Sequence, residues 1–402
     1  MILTAARVIT PTQTLTPGWV RVEGEVIAAV GEGAPPARAG AGRDAAEAED
    51  TPGVGASGEP DSAGGVTDLG EATLIPGYVD MHSHGGGGTA FKDGPEAART
   101  SLAMHRSHGT TAMMASLVTE TIDDLEAQVR SLTPLVEDGE LIGIHLEGPW
   151  MSPLHKGAHP PALLRAPFPD DVTRLIEASR LSDGSPAVKM VTLAVELEHG
   201  MEATRIMVDE GVLVALGHSD ATYDQAAEAL DAGASVATHL YNAMSKLHHR
   251  EPGMMPALLE REDVTIELIA DGVHVHPAML RHAVDSARGT IVLVTDAMAA
   301  AGASDGDYIL GTLPVVVKDG IARTETGSLA GSTLTLDRAV RLMVNEVGMP
   351  LEDAVRAATL SPADTVGRSD IGRIEPGCRA DLTVLDGDLQ VTAVYQGGVK
   401  VH

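Results

Sequence analysis

From Thr73 onward the chain alternates between short apolar runs and longer amphipathic stretches. The runs have the length and composition of buried strands, and the stretches between them, such as EAARTSLAMHRSH, have the spacing of helices. This order is typical of parallel β/α units. The eight runs are GYVDMH (77–82), TTAMMASLV (110–118), LIGIHLE (141–147), VKMVTLAVE (188–196), VLVALGH (212–218), SVATHL (235–240), TIELIAD (265–271) and TIVLVTD (290–296). Eight units within about 220 residues predict a closed (β/α)8 barrel, an α/β fold.

The two ends of the chain have a different pattern, of short strands and turns. Residues 1–31 include VRVEGEVIAAVG, which alternates apolar and polar positions around a Glu-Gly turn, and the tail GRIEPGCRADLTVLDGDLQVTAVYQGGVKVH is similar. Because domain termini often lie close together, we expect the two ends to pair. The predicted organisation is a small β-sandwich domain from 1–72 and 360–402, beside a barrel over 73–359.

Two segments depart from this order. Residues 32–66 contain no aromatic residue and only two branched aliphatic residues. They cannot bury enough apolar surface to offset the entropy of ordering, so we predict a disordered insertion. After the eighth run, the pattern predicts a β-rich segment at 307–325 and two helices, near 333–347 and 350–358.

Composition and charge limit the class of protein. Cys378 is the one cysteine, so no internal disulfide can form and a reducing compartment is favoured. The sequence shows neither a signal peptide nor an apolar run of about 18 residues, so we expect a cytoplasmic protein. The net charge of −29 argues against binding to nucleic acid or to an anionic membrane. It also requires that an anionic ligand be captured by local basic groups.

The carboxyl ends of the eight runs carry the candidate chemistry, because the active site of such a barrel lies at that face. All but one of the runs end in or beside a residue type that binds metal or moves protons. The exception is the second run, which ends before Thr119. The residues are, in chain order, His82 with His84, Glu147, Glu196, His218, His239, Asp271 with His274, and Asp296.

Each of these residues also has a structural interpretation when taken alone. A histidine after a strand is usually a satisfied polar group, and an aspartate can cap the next helix. Several histidines and carboxylates at one rim are hard to explain in that way, and a catalytic metal site needs such ligands with one position left open. His82 and His84 stand at i and i+2, so both can face the interior. The run Gly85–Gly88 lacks the Lys-Ser/Thr of a phosphate-binding loop and permits a tight rim instead.

Several segments resemble a known family. PGYVDMHSHGGGG (76–88) looks like the first-strand signature of the amidohydrolase superfamily, and GRIEPGCRADLTVLD (372–386) resembles its closing sheet segment. The central motifs are more specific and are similar to the N-acetylglucosamine-6-phosphate deacetylase family. They are HLEGPW (145–150), HKGAH (155–159), GHSDATYD (217–224), THLYNAMSKLHHREPG (238–253), ADGVHVHP (270–277) and TDAMAAAG (295–302). The resemblance covers roughly residues 1–31 and 70–402.

The resemblance implies roles for individual residues. Glu147, His218 and His239 would hold the main metal ion. His82 and His84 would help to hold a second ion, or a single ion in another position, with Asp296 nearby. Asp296 would be the catalytic acid and base, and His159 would contact the acetyl carbonyl. The substrate-contacting positions would be Ala158, His159, Asn242, Ala243, Arg250, Asp271, His274 and Leu329.

The implied reaction is hydrolysis of N-acetylglucosamine 6-phosphate to glucosamine 6-phosphate and acetate by metal-activated water. The cofactor would be a divalent metal, with Zn²⁺ favoured over Fe²⁺, Mn²⁺ or Co²⁺ and one or two ions per chain. Asp296 would take a proton and return it to the leaving amine. The planar fork of Arg250 suits a phosphate. In this family part of the phosphate site comes from a neighbouring subunit, which implies a homodimer.

Three other interpretations stay open. The same chemistry could act on N-acetylgalactosamine 6-phosphate, because a sequence does not easily separate epimers. A cyclic-amide hydrolase of the superfamily would need a carboxylated lysine at the end of the fourth strand, where Lys189 begins the run and Glu196 ends it. A non-catalytic scaffold would have lost metal ligands, and none is missing here. The fold alone does not decide among these alternatives.

Overall fold

The structure is a computed structural model that describes residues 1–36 and 65–402. Its centre is a sheet of eight parallel strands, each hydrogen-bonded to the next in chain order. All eight lie within the runs of the sequence, so the predicted barrel is confirmed. The strands are β1 (Tyr78–Asp80), β2 (Thr110–Val118), β3 (Gly143–Glu147), β4 (Val188–Leu193), β5 (Leu213–Leu216), β6 (Val236–Ala237), β7 (Thr265–Ile269) and β8 (Thr290–Val294).

The barrel closes at the carboxyl ends of β1 and β8. The backbone N–H of Asp296 donates to the carbonyl of His82 at 2.8 Å. The hydroxyl of Thr295 donates to the carboxylate of Asp80 at 2.6 Å, and both side chains are fully buried. This closing seam therefore joins the segment that carries His82 to the segment that carries Asp296.

Helices cover the strands on the outside, as the amphipathic stretches predict. Both faces of the strands are then covered, and every residue of β2 is accordingly buried. Proline in the first turn begins three of the helices, and Thr222 and Gln225 form a capping box at a fourth. The described residues form ten α-helices: α1 (Pro95–Ser107), α2 (Ile122–Glu137), α3 (Pro169–Ala178), α4 (Gly200–Asp209), α5 (Tyr223–Asp231), α6 (Met254–Leu259), α7 (Pro277–Ser286), α8 (Leu336–Leu342), α9 (Leu351–Ala358) and α10 (Leu360–Thr365).

Strands from both ends of the chain pair with one another. Thr73–Pro76 pairs in parallel with Arg7–Ile9 and antiparallel with Leu382–Leu385. Apolar side chains of two sheets form a cluster that is separate from the barrel core. The six-stranded sheet also contains Thr14–Leu15, Val391–Gln396 and Val399–Lys400, and the four-stranded sheet contains Ile2–Ala5, Gly18–Glu23, Val26–Glu32 and Val66–Asp68.

The domain boundaries stay a prediction, and two elements cross them. Thr73–Pro76 falls within the predicted barrel but pairs within the terminal sheet, and α10 falls within the predicted small domain but packs against β1 and β8. Of the predicted insertion at 32–66, residues 37–64 lie outside the described residues. Its predicted limits are too wide, because Glu32 ends one strand and Val66 begins another.

The segment after β8 forms the predicted β-rich excursion. It is an antiparallel sheet of Gly306–Leu310, Leu313–Lys318 and Ile321–Thr324. Its apolar side packs against Val118 and Met298, at the carboxyl end of the barrel. Among the helices of the described residues, none is long and apolar enough to cross a membrane.

We expect Thr295→Val to lower the free energy of unfolding of the metal-free protein by about 1–3 kcal/mol, because the buried carboxylate of Asp80 would lose a donor. Urea unfolding in the presence of a chelator measures this cost. Thr110→Val is the matched control, because the buried hydroxyl of Thr110 has no hydrogen-bond partner in the described part of the chain. Its removal should have little effect, and equal losses in the two variants would contradict the role of the seam.

Candidate active site

Glu147, at the end of β3, is the point on which the predicted ligands converge. Its Oε1 atom lies 3.1 Å from Nε2 of His239 and 3.3 Å from Nε2 of His218. Its Oε2 atom lies 3.1 Å from Nε2 of His84, and Nε2 of His82 is 3.6 Å from Oε1. All five side chains are buried. One carboxylate therefore faces four imidazoles that come from three separate segments of the chain.

Two groups of potential metal ligands share Glu147. One consists of Glu147, His218 and His239, and the other adds Glu147 to three further residues, His82, His84 and Asp296. Within each group the ligand atoms lie within 4.8 Å of one another. The predicted ligand set is therefore brought together, and its division into two groups matches the predicted main and second positions. The individual ligand roles stay a prediction.

Two details of the geometry fit a metal ion. Nε2 of His82 is buried without a hydrogen-bond partner among the described residues, although it faces Glu147 and Asp296, each at 3.6 Å. The Nε2 atoms of His218 and His239 lie only 3.1 Å apart and face the same oxygen of Glu147. Three ligands of one ion would be arranged in this way. Imidazole and carboxylate donors suit Zn²⁺ and its neighbours in the transition series.

Three of these residues have a left-handed backbone. The φ angles of His218, His239 and Asp296 are 48°, 31° and 48°. Positive φ is uncommon for residues other than glycine, and such strain is concentrated at functional sites. It also explains why β5, β6 and β8 end before the predicted runs do. The left-handed residue leaves the strand and turns its side chain to the rim.

A glycine hairpin holds His84 in place. The backbone N–H groups of His84 and Gly85 donate to the carbonyl of Ala297 at 2.7 and 3.1 Å. A Cβ atom on Gly85 would lie 2.3 Å from the backbone oxygen of Thr89, so no larger residue fits there without a shift. The glycine run therefore forms the tight rim that the sequence predicts.

A cavity of about 320 Å³ opens beside the ligand groups, within the usual range of small-molecule sites. The three-stranded sheet contributes Leu310 to its wall. Six of the predicted substrate-contacting residues line it, namely Ala158, His159, Asn242, Ala243, His274 and Leu329.

Two of the predicted substrate-contacting residues, Arg250 and Asp271, do not line this cavity. Arg250 is exposed and lines a different cavity, together with Lys246 and Glu251. None of the described residues that line the first cavity is a lysine or an arginine. Within one chain, therefore, neither a lysine nor an arginine of the described residues lines the wall to bind a phosphate.

His159 is held by a residue that the sequence interpretation set aside. Its Nδ1 atom lies 2.8 Å from the hydroxyl of Thr119. Thr119 follows the second apolar run, the one run that does not end in or beside a metal-binding or acid/base residue. Burial, together with the charge of the nearby His218, lowers the pKa of His159 to about 3. His159 is therefore neutral near pH 7. When Thr119 donates to Nδ1, the hydrogen of the ring sits on Nε2.

Asp271 lies behind His274 and orients it. Its Oδ2 atom is 2.7 Å from Nδ1 of His274, and its Oδ1 atom accepts from two backbone N–H groups at 2.8 Å. Burial alone would lower the pKa of His274, but the hydrogen bond to Asp271 raises it above its ordinary value. His274 can therefore present a positively charged ring to the cavity. Asp271 acts on it from behind rather than lining the cavity.

The acidic groups of the centre are held ionised. Burial raises the pKa of Asp296, but the hydrogen bond from His84 and the charges of His82 and His84 outweigh it, and the net shift is downward. Burial lowers the pKa of His84, but hydrogen bonds to Asp296 and Glu147 raise it to about 9. Without a metal, therefore, protons on the histidines balance the buried carboxylates.

Two buried polar residues in the strands were missed. His145 in β3 packs edge-to-face on His82, with ring centroids 4.6 Å apart, and Glu267 in β7 accepts from Nδ1 of His82 at 3.1 Å. A signal was available in both cases. His145 stands two positions before Glu147 and so faces the same side, and Glu267 is a charge inside an apolar strand.

Glu196 and Lys189 lie away from the centre. The carboxylate of Glu196 accepts from the hydroxyl of Ser219 and the N–H of Asp220, both at 2.6 Å, so its position at a run end reflects a loop contact. Lys189 stands at the beginning of β4, at the opposite end of the barrel. It is therefore not placed as a carboxylated lysine ligand, which counts against the cyclic-amide alternative.

Comparison with known proteins agrees with this geometry. The family model described as "Amidohydrolase family" matches residues 73–401. An N-acetylgalactosamine-6-phosphate deacetylase of Escherichia coli O157:H7 is 40% identical over 331 residues, which cover 81% of this chain and 86% of that protein. An N-acetylglucosamine-6-phosphate deacetylase of Vibrio furnissii is 35% identical and covers 81% and 82%.

A solved structure is also similar over the full length. It is a mutant N-acetyl-D-glucosamine-6-phosphate deacetylase from Mycobacterium smegmatis in complex with N-acetyl-D-glucosamine-6-phosphate. The identity is 43%, the TM-score is 0.89, and the match covers 100% of this chain and 99% of that one.

With the metal removed, we expect the free energy of unfolding to fall as the pH rises from about 6.5 to about 9. In this range the folded protein keeps a proton on His84 that the unfolded chain has lost, so a rising pH favours the unfolded state. Urea unfolding of chelated protein at several pH values measures the slope. His84→Gln should reduce it, and metal-loaded protein should lack it. If the free energy of unfolding of the metal-free protein does not change over this pH range, a protonated His84 does not balance the buried carboxylates.

Proposed function

The chain belongs to the amidohydrolase family, and we propose that it removes the acetyl group from N-acetylglucosamine 6-phosphate. The products are glucosamine 6-phosphate and acetate. One observation carries the proposal: four histidines, Glu147 and Asp296 converge beside a cavity lined by the predicted sugar-contacting residues. The similarity to a full-length relative whose structure holds this sugar phosphate supports the choice of substrate.

The two ligand groups would hold one or two divalent ions, and we propose Zn²⁺, with Fe²⁺, Mn²⁺ and Co²⁺ as alternatives. Glu147, His218 and His239 would form the main position, and His82, His84 and Asp296 would complete the second with Glu147. When bound, such an ion lowers the pKa of water and polarises a carbonyl.

Asp296 is the proposed general base and acid. Its carboxylate lines the cavity, and Oδ1 lies 3.1 Å from Nε2 of His84. Its lowered pKa keeps it ionised, so it can take a proton from the attacking water. The same carboxyl group then returns the proton to the amine as the C–N bond breaks. The left-handed backbone at Asp296 aims the side chain into the cavity rather than along the strand.

His159 is the proposed donor to the acetyl carbonyl. It lines the cavity, is neutral, and carries its hydrogen on Nε2 when the hydroxyl of Thr119 donates to Nδ1. A neutral donor fixed in this way can stabilise the negative charge that develops on the carbonyl oxygen.

The phosphate is the reason to propose a homodimer. The hydrogen bond to Asp271 raises the pKa of His274, which favours its charged form, but the wall formed by the described residues contains no lysine or arginine. Arg250 extends from the loop after β6 and is exposed, and Leu247 beside it is 58% exposed. We propose that this loop packs against a second copy and places Arg250 in the cavity of the neighbour. The single cysteine supports a reducing compartment, which we propose is the cytoplasm.

The galactosamine epimer is the second candidate substrate. The observation in its favour is the 40% identical relative from Escherichia coli, which is named for that substrate. The two sugars differ at one hydroxyl. A non-catalytic scaffold has less support, because the complete ligand set is present and buried.

We expect purified, metal-loaded protein to release acetate from N-acetylglucosamine 6-phosphate, and a chelator to abolish the release. Asp296→Asn should lower kcat by at least about 100-fold, because the amide cannot take the proton. Asp209→Asn, which changes an exposed carboxylate at the end of α4, is the matched control and should retain full activity. Comparing kcat/KM for the two epimers tests the choice of substrate. A higher value for the galactosamine epimer, or no release of acetate from either sugar, would overturn it.

Mixing subunits tests the proposed contribution of Arg250. Arg250→Ala and Asp296→Asn chains should each be inactive, whereas co-expressed chains should regain about a quarter of the wild-type activity, because mixed dimers contain one intact site. The control is a mixture of His274→Ala and Asp296→Asn chains. Both of those residues line the cavity of one chain, so no intact site can form. Absence of recovery in the Arg250 mixture would show that Arg250 does not act across an interface.

A further inference from the structure

We propose that Glu267 is a positioning residue that sets the affinity of the His82–His84 side of the centre for its metal ion. The inference rests on the metal-dependent function proposed above. Glu267 lies in the middle of β7, between Ile266 and Leu268, and is fully buried. It belongs to neither group of potential ligands.

At three of the four histidines of the centre, a hydrogen-bond partner of Nδ1 orients the ring. Nδ1 of His84 lies 3.2 Å from the carbonyl of Ser116, and Nδ1 of His218 lies 2.8 Å from the carbonyl of His155. A carbonyl oxygen only accepts, so Nδ1 donates in both cases. In the neutral ring, which is the form that binds a metal ion, the lone pair is then on Nε2, which faces the centre.

His82 has the same orientation, but its acceptor is a side chain. Nδ1 of His82 lies 3.1 Å from Oε2 of Glu267, and a carboxylate accepts this hydrogen. The unpartnered Nε2 of His82 is thereby left to a metal ion. Of these three acceptors, Glu267 is the one that a substitution can change, since the other two belong to the backbone.

The same oxygen of Glu267 also reaches the other ligand group. The backbone N–H of His239 donates to Oε2 at 3.1 Å, at a residue with a φ of 31°. One carboxylate oxygen thus fixes the ring of His82 and the strained backbone of His239. Glu267 approaches Nδ1, on the other side of the ring from Nε2, so it acts through His82 rather than as a ligand.

A purely structural role does not account for the charge. Oε1 of Glu267 is buried and has no hydrogen-bond partner in the described part of the chain. A buried carboxylate with one unpaired oxygen costs stability, and an apolar side chain would avoid that cost. A negative charge behind an imidazole, however, strengthens that imidazole as a ligand for a cation. The geometry therefore assigns the charge of Glu267 to the metal position that includes His82.

Glu267→Gln tests this role, because the amide oxygen can accept the same two hydrogen bonds without the charge. We expect the variant to bind its second ion about 10- to 100-fold more weakly and its first ion as the wild type does. Calorimetric titration of Zn²⁺ into metal-free protein measures both affinities. Electron paramagnetic resonance of Mn²⁺-loaded protein reports the pair directly, because neighbouring ions give a coupled spectrum. When Mn²⁺ is limiting, the wild type should show the coupled spectrum of two neighbouring ions, and the variant should show the spectrum of isolated ions.

Glu196→Gln is the matched control, since Glu196 bonds to Ser219 and Asp220 rather than to an imidazole. It should bind both ions as the wild type does. If Glu267→Gln does not fold, Glu267→Asp keeps the charge but shortens its reach, and should also weaken the second ion. Unchanged affinities, or equal loss of both ions, would overturn the inference. A wild type that binds one ion and still deacetylates would overturn this inference alone, whereas a wild type without metal or activity would overturn the proposed function too.

Discussion

The burial of Glu147 is the constraint on which the rest of the site depends. A carboxylate removed from water costs several kcal/mol unless positive groups or a metal ion compensate for it. Here four imidazole nitrogens lie within 3.6 Å of its two oxygens. They come from the segments that follow β1, β5 and β6, and only a closed barrel brings those strand ends to β3. The closing seam, at which the segment after β8 bonds to the segment after β1, is therefore part of the site as well as of the fold.

The convergence of side chains on the buried Glu147 also explains the backbone strain at the rim of the barrel. His218, His239 and Asp296 adopt positive φ angles, an arrangement that a strand alone would not favour. Backbone bonds hold each of them in place, for example the bond from the N–H of Asp296 to the carbonyl of His82 and the bond from the N–H of His239 to Glu267. Such strain persists only where the surrounding structure holds it, and here the packed core of the barrel does so.

The net charge of the whole chain opposes the binding of the proposed substrate. The chain carries a net charge of −29, and yet the proposed substrate is an anion. We propose that the cavity meets this demand locally, through His274, which Asp271 orients, and through the groups of potential metal ligands beside it. No lysine or arginine is among the described residues of its wall, which is why we propose that the exposed Arg250 completes the phosphate site of a neighbouring subunit.

The sequence by itself determined the barrel, because eight apolar runs alternate with amphipathic stretches, and it determined the rim residues, because a parallel barrel places its strand ends at one face. It did not determine where each strand ends, since the left-handed turns at His218 and His239 depend on contacts made after folding. Nor did it identify the roles of Thr119, His145 and Glu267. These residues contact partners that are 28 to 185 positions away along the chain, and only the tertiary structure brings such partners together.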